Sequence, residues 1–124
     1  MTAATPLRRA TVDLAAYRAN LESLIARLDP VEILAIVKAD AYSHGADVLV
    51  PEAVAAGIRW FGTVELEPAL RMRRLGIGGD ASFFAWQLSP SDDLEAAVDL
   101  QVDPGRLGVD EGAQATHLLG GVGF

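Results

Sequence analysis

The sequence predicts an α/β fold with a parallel sheet, because strand-like and helix-like segments alternate along the 124 residues. Short apolar runs alternate with segments of helical period, in the order helix followed by βαβαβαβ. Alternation of this kind gives parallel strands joined by right-handed crossovers. The spacing of the strands is compatible with either barrel or doubly wound units. Since a complete (β/α)8 barrel needs roughly 200 residues or more, the chain is either an open sheet or a piece of something larger.

The strands are predicted from apolar runs bounded by turn residues. The predicted strands span residues 31–37, 60–64, 81–86 and 98–102, and residues 8–12 could add a short one. Turns are indicated between them, most clearly at residues 77–80 (IGGD). Together these runs predict three or four strands in one sheet.

The helices are predicted from their apolar period and from capping residues. Asp13 is a candidate N-cap for the first helix, and Asp29-Pro30 ends it. A second helix is expected over residues 47–56, with Gly57 after it and Pro51 marking either its start or a kink. A third is expected over residues 65–75, and Ser91 is expected to cap a short helix through residue 97. The apolar stripe of the first helix consists of Leu14, Tyr17, Leu21, Leu24, Ile25 and Leu28.

Composition excludes several classes of function. Ten basic residues against 17 acidic ones give a formal charge of −7, which argues against nucleic acid as the main partner. The chain has no cysteine, so disulfides, zinc-thiolate sites and thiol catalysis are excluded. No apolar run approaches the roughly 20 residues of a membrane span, and residues 1–9 lack the apolar core of a signal peptide. A cytoplasmic protein is therefore expected.

Lys38 directly follows the most apolar run of the chain. A run of this kind is typical of a strand buried on both faces, and its carboxyl end is where functional groups gather in parallel α/β proteins. A lysine there is expected to be partly desolvated, which favours the uncharged amine as nucleophile, base or Schiff-base partner. The alternative is a strand-end lysine whose stem packs on apolar neighbours while its amine reaches water.

The loop after Lys38 carries Tyr42, Ser43 and His44. A strand-to-helix loop can present backbone N–H groups and a hydroxyl to a phosphate near a helix N-terminus. Taken alone, Tyr42 is interpreted as an aromatic residue that covers the rim of the barrel, and His44 as a residue that hydrogen-bonds within its loop. His117, in the C-terminal segment, is assigned no role.

Residues 37–46 (VKADAYSHGA) resemble the lysine motif of the alanine racemases. Further segments are similar to the same family, over roughly residues 8–103. They are residues 12–14 (VDL), 20–21 (NL), 55–58 (AAGI), 60–64 (WFGTV), 65–73 (ELEPALRMR), 76–77 (GI) and 84–86 (FAW). The resemblance implies the first three to four βα units of a (β/α)8 TIM-type barrel. It divides the chain into residues 1–103, part of that barrel, and an atypical glycine-rich tail at 104–124.

The resemblance also implies a reaction, the interconversion of L- and D-alanine with pyridoxal 5′-phosphate (PLP), which supplies D-alanine for peptidoglycan. Lys38 would hold PLP covalently and act as the base on one face of the substrate Cα, and Tyr42 would donate its hydroxyl to the cofactor phosphate. Trp86 could line the cofactor pocket. No metal is implied, and the family's usual assembly is a homodimer.

The chain departs from the family pattern in two respects. Ser43 stands where the family usually has glycine, at a cost of about 1 kcal/mol if φ is positive there. The family's second base is a tyrosine from a C-terminal domain, reached across the dimer, and the similarity ends near Pro104. An N-terminal fragment with weak or no activity is expected. The alternatives are a PLP-homeostasis type of barrel protein and a non-catalytic fragment that only associates with other chains.

Overall fold

The computed structural model describes residues 8–104, and they form a four-stranded parallel sheet. The strands are β1 (Leu34–Ile36), β2 (Trp60–Glu65), β3 (Ser82–Gln87) and β4 (Val102–Pro104). Their order in the sheet is the order in the chain, and all three pairings are parallel. The predicted α/β class, with βα units of the barrel type, is therefore confirmed.

Five helical segments connect or precede the strands within residues 8–104. They are α1 (Leu14–Leu28), a single turn α2 (Lys38–Ser43), α3 (Ala46–Ala56), α4 (Leu66–Arg74) and α5 (Leu94–Asp99). Asp13 caps α1 as predicted, since its carboxylate accepts the N–H of Ala16 at 3.0 Å. Gly57 ends α3 with φ of +115°, a conformation that costs glycine little. In α1 the apolar stripe is narrower than predicted, because Leu24 and Leu28 remain exposed.

One face of the sheet, here called the covered face, packs against the helices. Its side chains are buried, and Phe61 and Phe83 meet with ring centroids 5.7 Å apart. Helices α3 and α4 contribute Val50, Leu66 and Leu70 to the same core. Burying apolar surface here is the main source of stability.

The opposite face, here called the open face, carries Leu34, Ile36, Trp60, Phe84 and Trp86. Leu34 and Ile36 are 40% and 38% exposed. The expectation that the first strand is buried on both faces is therefore wrong for the described residues. The reason is that the helices of residues 8–104 cover only one side of the sheet.

Several predicted boundaries differ from the structure. Residues 8–12 form no strand. Asp93, not Ser91, caps α5, and Val98 lies in that helix, 74% exposed, so the fourth strand begins only at Val102. Pro51 lies inside α3, which starts five residues before it. Helix α5 has the predicted length of six residues but begins and ends two residues later, and its residue Ala97 is buried in the core.

None of the five helices within residues 8–104 could span a bilayer, and the longest, α1, has 15 residues. Residues 105–124, which include His117 and all but the first residue of the predicted glycine-rich tail, lie outside the described residues. The predicted division of the chain after residue 103 therefore stays a prediction.

Candidate active site

Lys38 opens a turn of left-handed helix at the carboxyl end of β1. From Ala39 to Tyr42, φ lies between +51° and +55°, and Ser43 follows at +67°. An L-residue in this conformation costs roughly 1–2 kcal/mol, and no glycine relieves it in this stretch. The sequence predicted a loop here, with a strain cost at Ser43 if its φ were positive, and its φ is positive. Such a strained turn persists only where surrounding contacts determine it, as often happens at functional sites.

Backbone hydrogen bonds tie the left-handed turn to the sheet and to α3. The N–H of Val37 donates to the carbonyl of Gly62 on β2 at 2.8 Å, and the N–H of Ala41 donates to Val37 at 3.0 Å. The N–H of Gly45 donates to the Asp40 carbonyl at 3.0 Å. Ala41 is buried and anchors the inner side of the turn. The residues beside Ala41 are therefore held at the rim of the sheet.

Lys38 and Tyr42 lie together on this turn. The Nζ atom of Lys38 is 5.7 Å from the centroid of the Tyr42 ring, within the range of a cation–π contact. Both side chains are exposed, so the expected partial desolvation of Lys38 is not found among the described residues. The alternative from the sequence, an amine that reaches water, describes this lysine. Lys38 is also the only lysine in the chain.

Trp86 lies on the open face, against the backbone of β2. A Cβ atom at Gly62 would come within 2.9 Å of its ring and within 2.8 Å of the Ile36 Cδ1 atom. Phe84 packs beside the Trp86 ring, with centroids 5.6 Å apart. Gly62 was not singled out from the sequence, although a glycine inside a strand is itself a signal of close approach. This glycine lets an aromatic surface form directly beside the strand that precedes Lys38.

A bulge distorts β2 at the same edge of the sheet. Val64 has φ of +70°, and the pairing of β2 with β3 shifts on both sides of it. The hydroxyl of Thr63, a buried residue, donates to the carbonyl of Glu65 at 2.7 Å. Bulges often re-aim side chains next to functional sites. This bulge was not predictable from the sequence, because Thr63 and Val64 are ordinary strand residues.

The N-terminus of α3 is already occupied by carboxylates. Asp40 accepts the N–H of Ala46 at 2.8 Å, and Asp47 lies in the first turn of the helix. The structure therefore does not favour this helix end as the phosphate cradle that the sequence suggested, since two negative charges stand there. Tyr42 remains the phosphate-binding candidate of this loop.

An ion pair joins α3 to α4 just below the turn. The two terminal nitrogens of the Arg71 guanidinium, Nη1 and Nη2, donate to the Asp47 carboxylate at 2.7 and 2.6 Å. These hydrogen bonds lower the pKa of Asp47 and raise that of Arg71. The pair fixes the first turn of α3 against its neighbouring helix.

His44 faces its own turn. Its Nδ1 atom lies 3.0 Å from the carbonyl oxygen of Ala41, within hydrogen-bond distance. This is the local hydrogen-bonding role that the sequence left open for a lone histidine. Within residues 8–104, no group of three histidine or acidic side chains is arranged to hold a metal ion.

The residues at this edge of the sheet fit a flat, phosphorylated aldehyde such as PLP. Lys38 is exposed, and the Tyr42 ring lies beside its amine on the same turn. Trp86 and Phe84 offer an aromatic surface on β3, and the Trp86 ring lies against Gly62 of the intervening strand β2. This donor set supplies an amine, a hydroxyl and an apolar wall, the groups that such a ligand needs.

Comparison with known proteins identifies relatives with the same fold. The family described as "Alanine racemase, N-terminal domain" matches residues 12–119. The alanine racemase of Streptomyces coelicolor is 40% identical over 97 residues, covering 77% of this chain and 25% of that protein. The chain thus spans about a quarter of the length of the curated relatives it matches.

Solved structures give the same result. The alanine racemase of Streptomyces lavendulae superposes with a TM-score of 0.73 at 35% identity, over 78% of this chain and 25% of that one. The alanine racemase of Bartonella henselae, solved with covalently bound pyridoxal phosphate, has a TM-score of 0.66 at 28% identity, over 75% and 27% of the two chains. The left-handed turn, the lysine it carries and these likenesses lead to one conclusion: the chain belongs to the alanine racemase family and matches its N-terminal domain.

Proposed function

We propose that this chain carries the PLP-lysine of an alanine racemase and that Lys38 is that residue. The observation that carries the proposal is the placement of its exposed amine beside Tyr42, on a left-handed turn at the carboxyl end of β1. The chain has no other lysine that could take the role. The relative from Bartonella henselae, which holds pyridoxal phosphate covalently, supports the cofactor assignment.

Each residue then has a distinct task in racemisation. PLP, when bound, supplies the electron sink that makes the Cα proton of alanine acidic. The Lys38 amine takes that proton on one face of Cα, or returns it there, and so works as a general base or acid. Tyr42 donates its hydroxyl to the phosphate and orients the cofactor, while Trp86 forms an apolar wall that limits access of water.

Racemisation needs a second base on the opposite face, and we infer that it comes from outside these 124 residues. The family resemblance places it on a tyrosine of a partner subunit, so a homodimer of the longer protein is the proposed active form. The 124-residue chain alone is expected to racemise alanine weakly or not at all. In the cell the proposed role is supply of D-alanine for peptidoglycan, in the cytoplasm.

The first test is whether PLP bonds to Lys38. The purified chain is titrated with PLP, the visible absorbance of the lysine-bound cofactor is followed, and borohydride then fixes the adduct for peptide mapping by mass spectrometry. The expected adduct lies on the peptide that contains Lys38. The Lys38→Arg variant keeps the positive charge and should lose both the absorbance and the adduct.

Since Lys38 is the only lysine, the N-terminal amine is the main competitor, and the mapping separates the two. An adduct confined to the N-terminal peptide would contradict the proposal, and no absorbance at all would favour a non-catalytic fragment. A second assay measures conversion of L-alanine to D-alanine by the same chain. Rapid conversion that Lys38→Arg abolishes would contradict the inference that the second base lies elsewhere, while leaving the role of Lys38 intact.

A further inference from the structure

We propose that Asp40 is a positioning residue: its carboxylate joins the left-handed turn to the start of α3 and thereby sets where Lys38 and Tyr42 stand. Asp40 lies between these two residues in the chain, and its hydrogen bonds go to Gly45 and Ala46. The cofactor-binding consequence of the proposal rests on the proposed function, whereas its structural part does not.

Asp40 contacts the next helix with both its side chain and its backbone. Its Oδ1 atom accepts the N–H of Ala46, the first residue of α3, at 2.8 Å, and its carbonyl accepts the N–H of Gly45 at 3.0 Å. The side-chain bond joins residues six positions apart in the chain and is partly buried. It therefore acts as a helix cap reached from the middle of the turn, not from the residue just before the helix.

The cap matters because the turn it holds is strained. Asp40 has φ of +55°, and its neighbours Ala39 and Ala41 have φ of +51°. Alanine has no side-chain group with which to hold this conformation, whereas aspartate can hydrogen-bond and tolerates it better. Among residues 39–42, Asp40 is the one whose side chain makes a hydrogen bond within the described structure. Without that bond, the backbone is expected to relax and to displace the side chains on either side.

The other end of this contact is itself rigid. Ala46 begins α3, whose residues Leu49, Val50 and Ala53 are buried in the core. Ala46 is also buried in the core. The Asp40–Ala46 bond therefore connects the turn to a rigidly packed residue. Functional side chains need such rigid support to keep their geometry.

The test compares three substitutions at Asp40. Asp40→Asn keeps an acceptor oxygen in the same place and tolerates positive φ. Asp40→Ala removes the acceptor, and Asp40→Gly removes it while also relieving the strain. The first measurement, made without PLP, is hydrogen exchange at the Ala46 amide. Exchange should be roughly five- to tenfold faster in the Ala and Gly variants, the size expected for one lost helix cap, and close to wild type in the Asn variant.

The second measurement is PLP affinity from the visible absorbance of the Lys38-bound cofactor. Affinity should fall by about tenfold in Asp40→Ala and Asp40→Gly, and Asp40→Asn should rescue it to within about threefold. Asp47→Asn is the matched control, because it loosens the same helix turn from Arg71 without touching the Asp40 contact. It should leave the affinity near wild type.

Unchanged Ala46 exchange and unchanged PLP affinity in Asp40→Ala would overturn the proposal. An Asp40→Asn variant that binds PLP as weakly as Asp40→Ala would also overturn it, because the affinity would then depend on the negative charge of Asp40 and not on its acceptor oxygen. If Asp40→Ala does not fold, the Asn and Gly variants decide between the same outcomes. If wild type itself shows no Lys38-bound PLP, the proposed function fails, while the exchange data still decide whether Asp40 holds the turn.

Discussion

The covered face and the open face of the sheet are both apolar, yet they are built in different ways. On the covered face, regular strands bury Phe61 and Phe83 completely against right-handed helices. On the open face, Trp86 is half-buried and Ile36 is 38% exposed. The left-handed turn and the Val64 bulge both occur where the strands end. The buried core thus lies on one face of the sheet, whereas the strained backbone lies at the carboxyl ends of β1 and β2.

This difference shows how a short sheet supports a strained site. The covered face supplies the burial that stabilises the fold. The turn that carries Lys38 consumes part of that stability, since five consecutive L-residues with positive φ cost on the order of 5–10 kcal/mol. A total stability of about 5–15 kcal/mol is usual for a domain. The turn therefore survives only because burial and hydrogen bonds elsewhere offset it.

The largest expected effect is a difference in stability between alanine substitutions at two adjacent residues, one on each face of the sheet. Phe83→Ala should lower the free energy of unfolding by about 3–5 kcal/mol, because a fully buried ring is removed from the core. It also removes the ring beneath the Arg73 guanidinium, 4.9 Å away. Phe84→Ala, the same change on the open face, should cost about 1–2 kcal/mol, because the ring is only half-buried. Urea unfolding of both variants measures the difference, and equal losses would remove the distinction between the faces.

The next effect probes the open face where Trp86 meets β2. Gly62→Ala should cost about 1–3 kcal/mol, because the new methyl group collides with the Trp86 ring and with Ile36. Thermal unfolding gives the loss, and tryptophan fluorescence reports the displaced ring. The double variant Gly62→Ala with Trp86→Phe is the control. The smaller ring leaves room, so its cost should be less than the sum of the two single changes. Simple additivity would mean that the two groups do not touch.

A smaller effect of opposite sign is expected on the left-handed turn. Ser43→Gly should raise the free energy of unfolding by about 0.5–1 kcal/mol, because glycine adopts a φ of +67° without strain, although it gains entropy in the unfolded chain. Ser43→Ala keeps the strain and removes only the hydroxyl, so it should not stabilise. Chemical denaturation distinguishes the two. Stabilisation by both variants would indicate that the serine hydroxyl, not the backbone, is the source of the cost.

The smallest effect concerns the ion pair behind the turn, and it depends on pH. Hydrogen bonds from Arg71 lower the pKa of Asp47 in the folded state. The resulting stabilisation is fully present above the unfolded pKa of about 4 and is lost as pH falls through the lower folded value. The difference in stability between wild type and Asp47→Asn should therefore be constant from neutral to weakly acidic pH and then shrink. Because the pair is exposed, added salt should also reduce it. A difference that grows in acid would contradict this assignment.

Much of the covered face could be predicted from the sequence, because local signals and burial agree there. Asp13 caps α1, Gly57 ends α3, and the strand at 60–64 is found with one residue added. Where local signals conflict with packing, the prediction fails. Val98 has high strand propensity, yet it lies exposed in α5, whose neighbouring residue Ala97 is buried in the core.

The site is less predictable, because its geometry comes from long-range contacts. Lys38, Tyr42 and Trp86 were identified from the family motif, and their roles stay predictions. Only Ser43, which replaces a family glycine, indicated positive φ from the sequence, and nothing indicated it for residues 39–42 (ADAY), which contain no glycine. The turn is determined by Gly62 on β2 and by Ala46 on α3, which only the fold brings next to it.

The left-handed turn inverts the usual relation between chirality and backbone shape. In α1 or α4 a D-amino acid would be the strained residue, whereas at Ala39 and Ala41 the natural L-residue is the strained one. D-alanine would occupy those two positions without backbone strain. Ribosomal synthesis supplies only L-residues, so the chain keeps one short segment whose preferred building blocks are of the opposite hand, held in place by its neighbours.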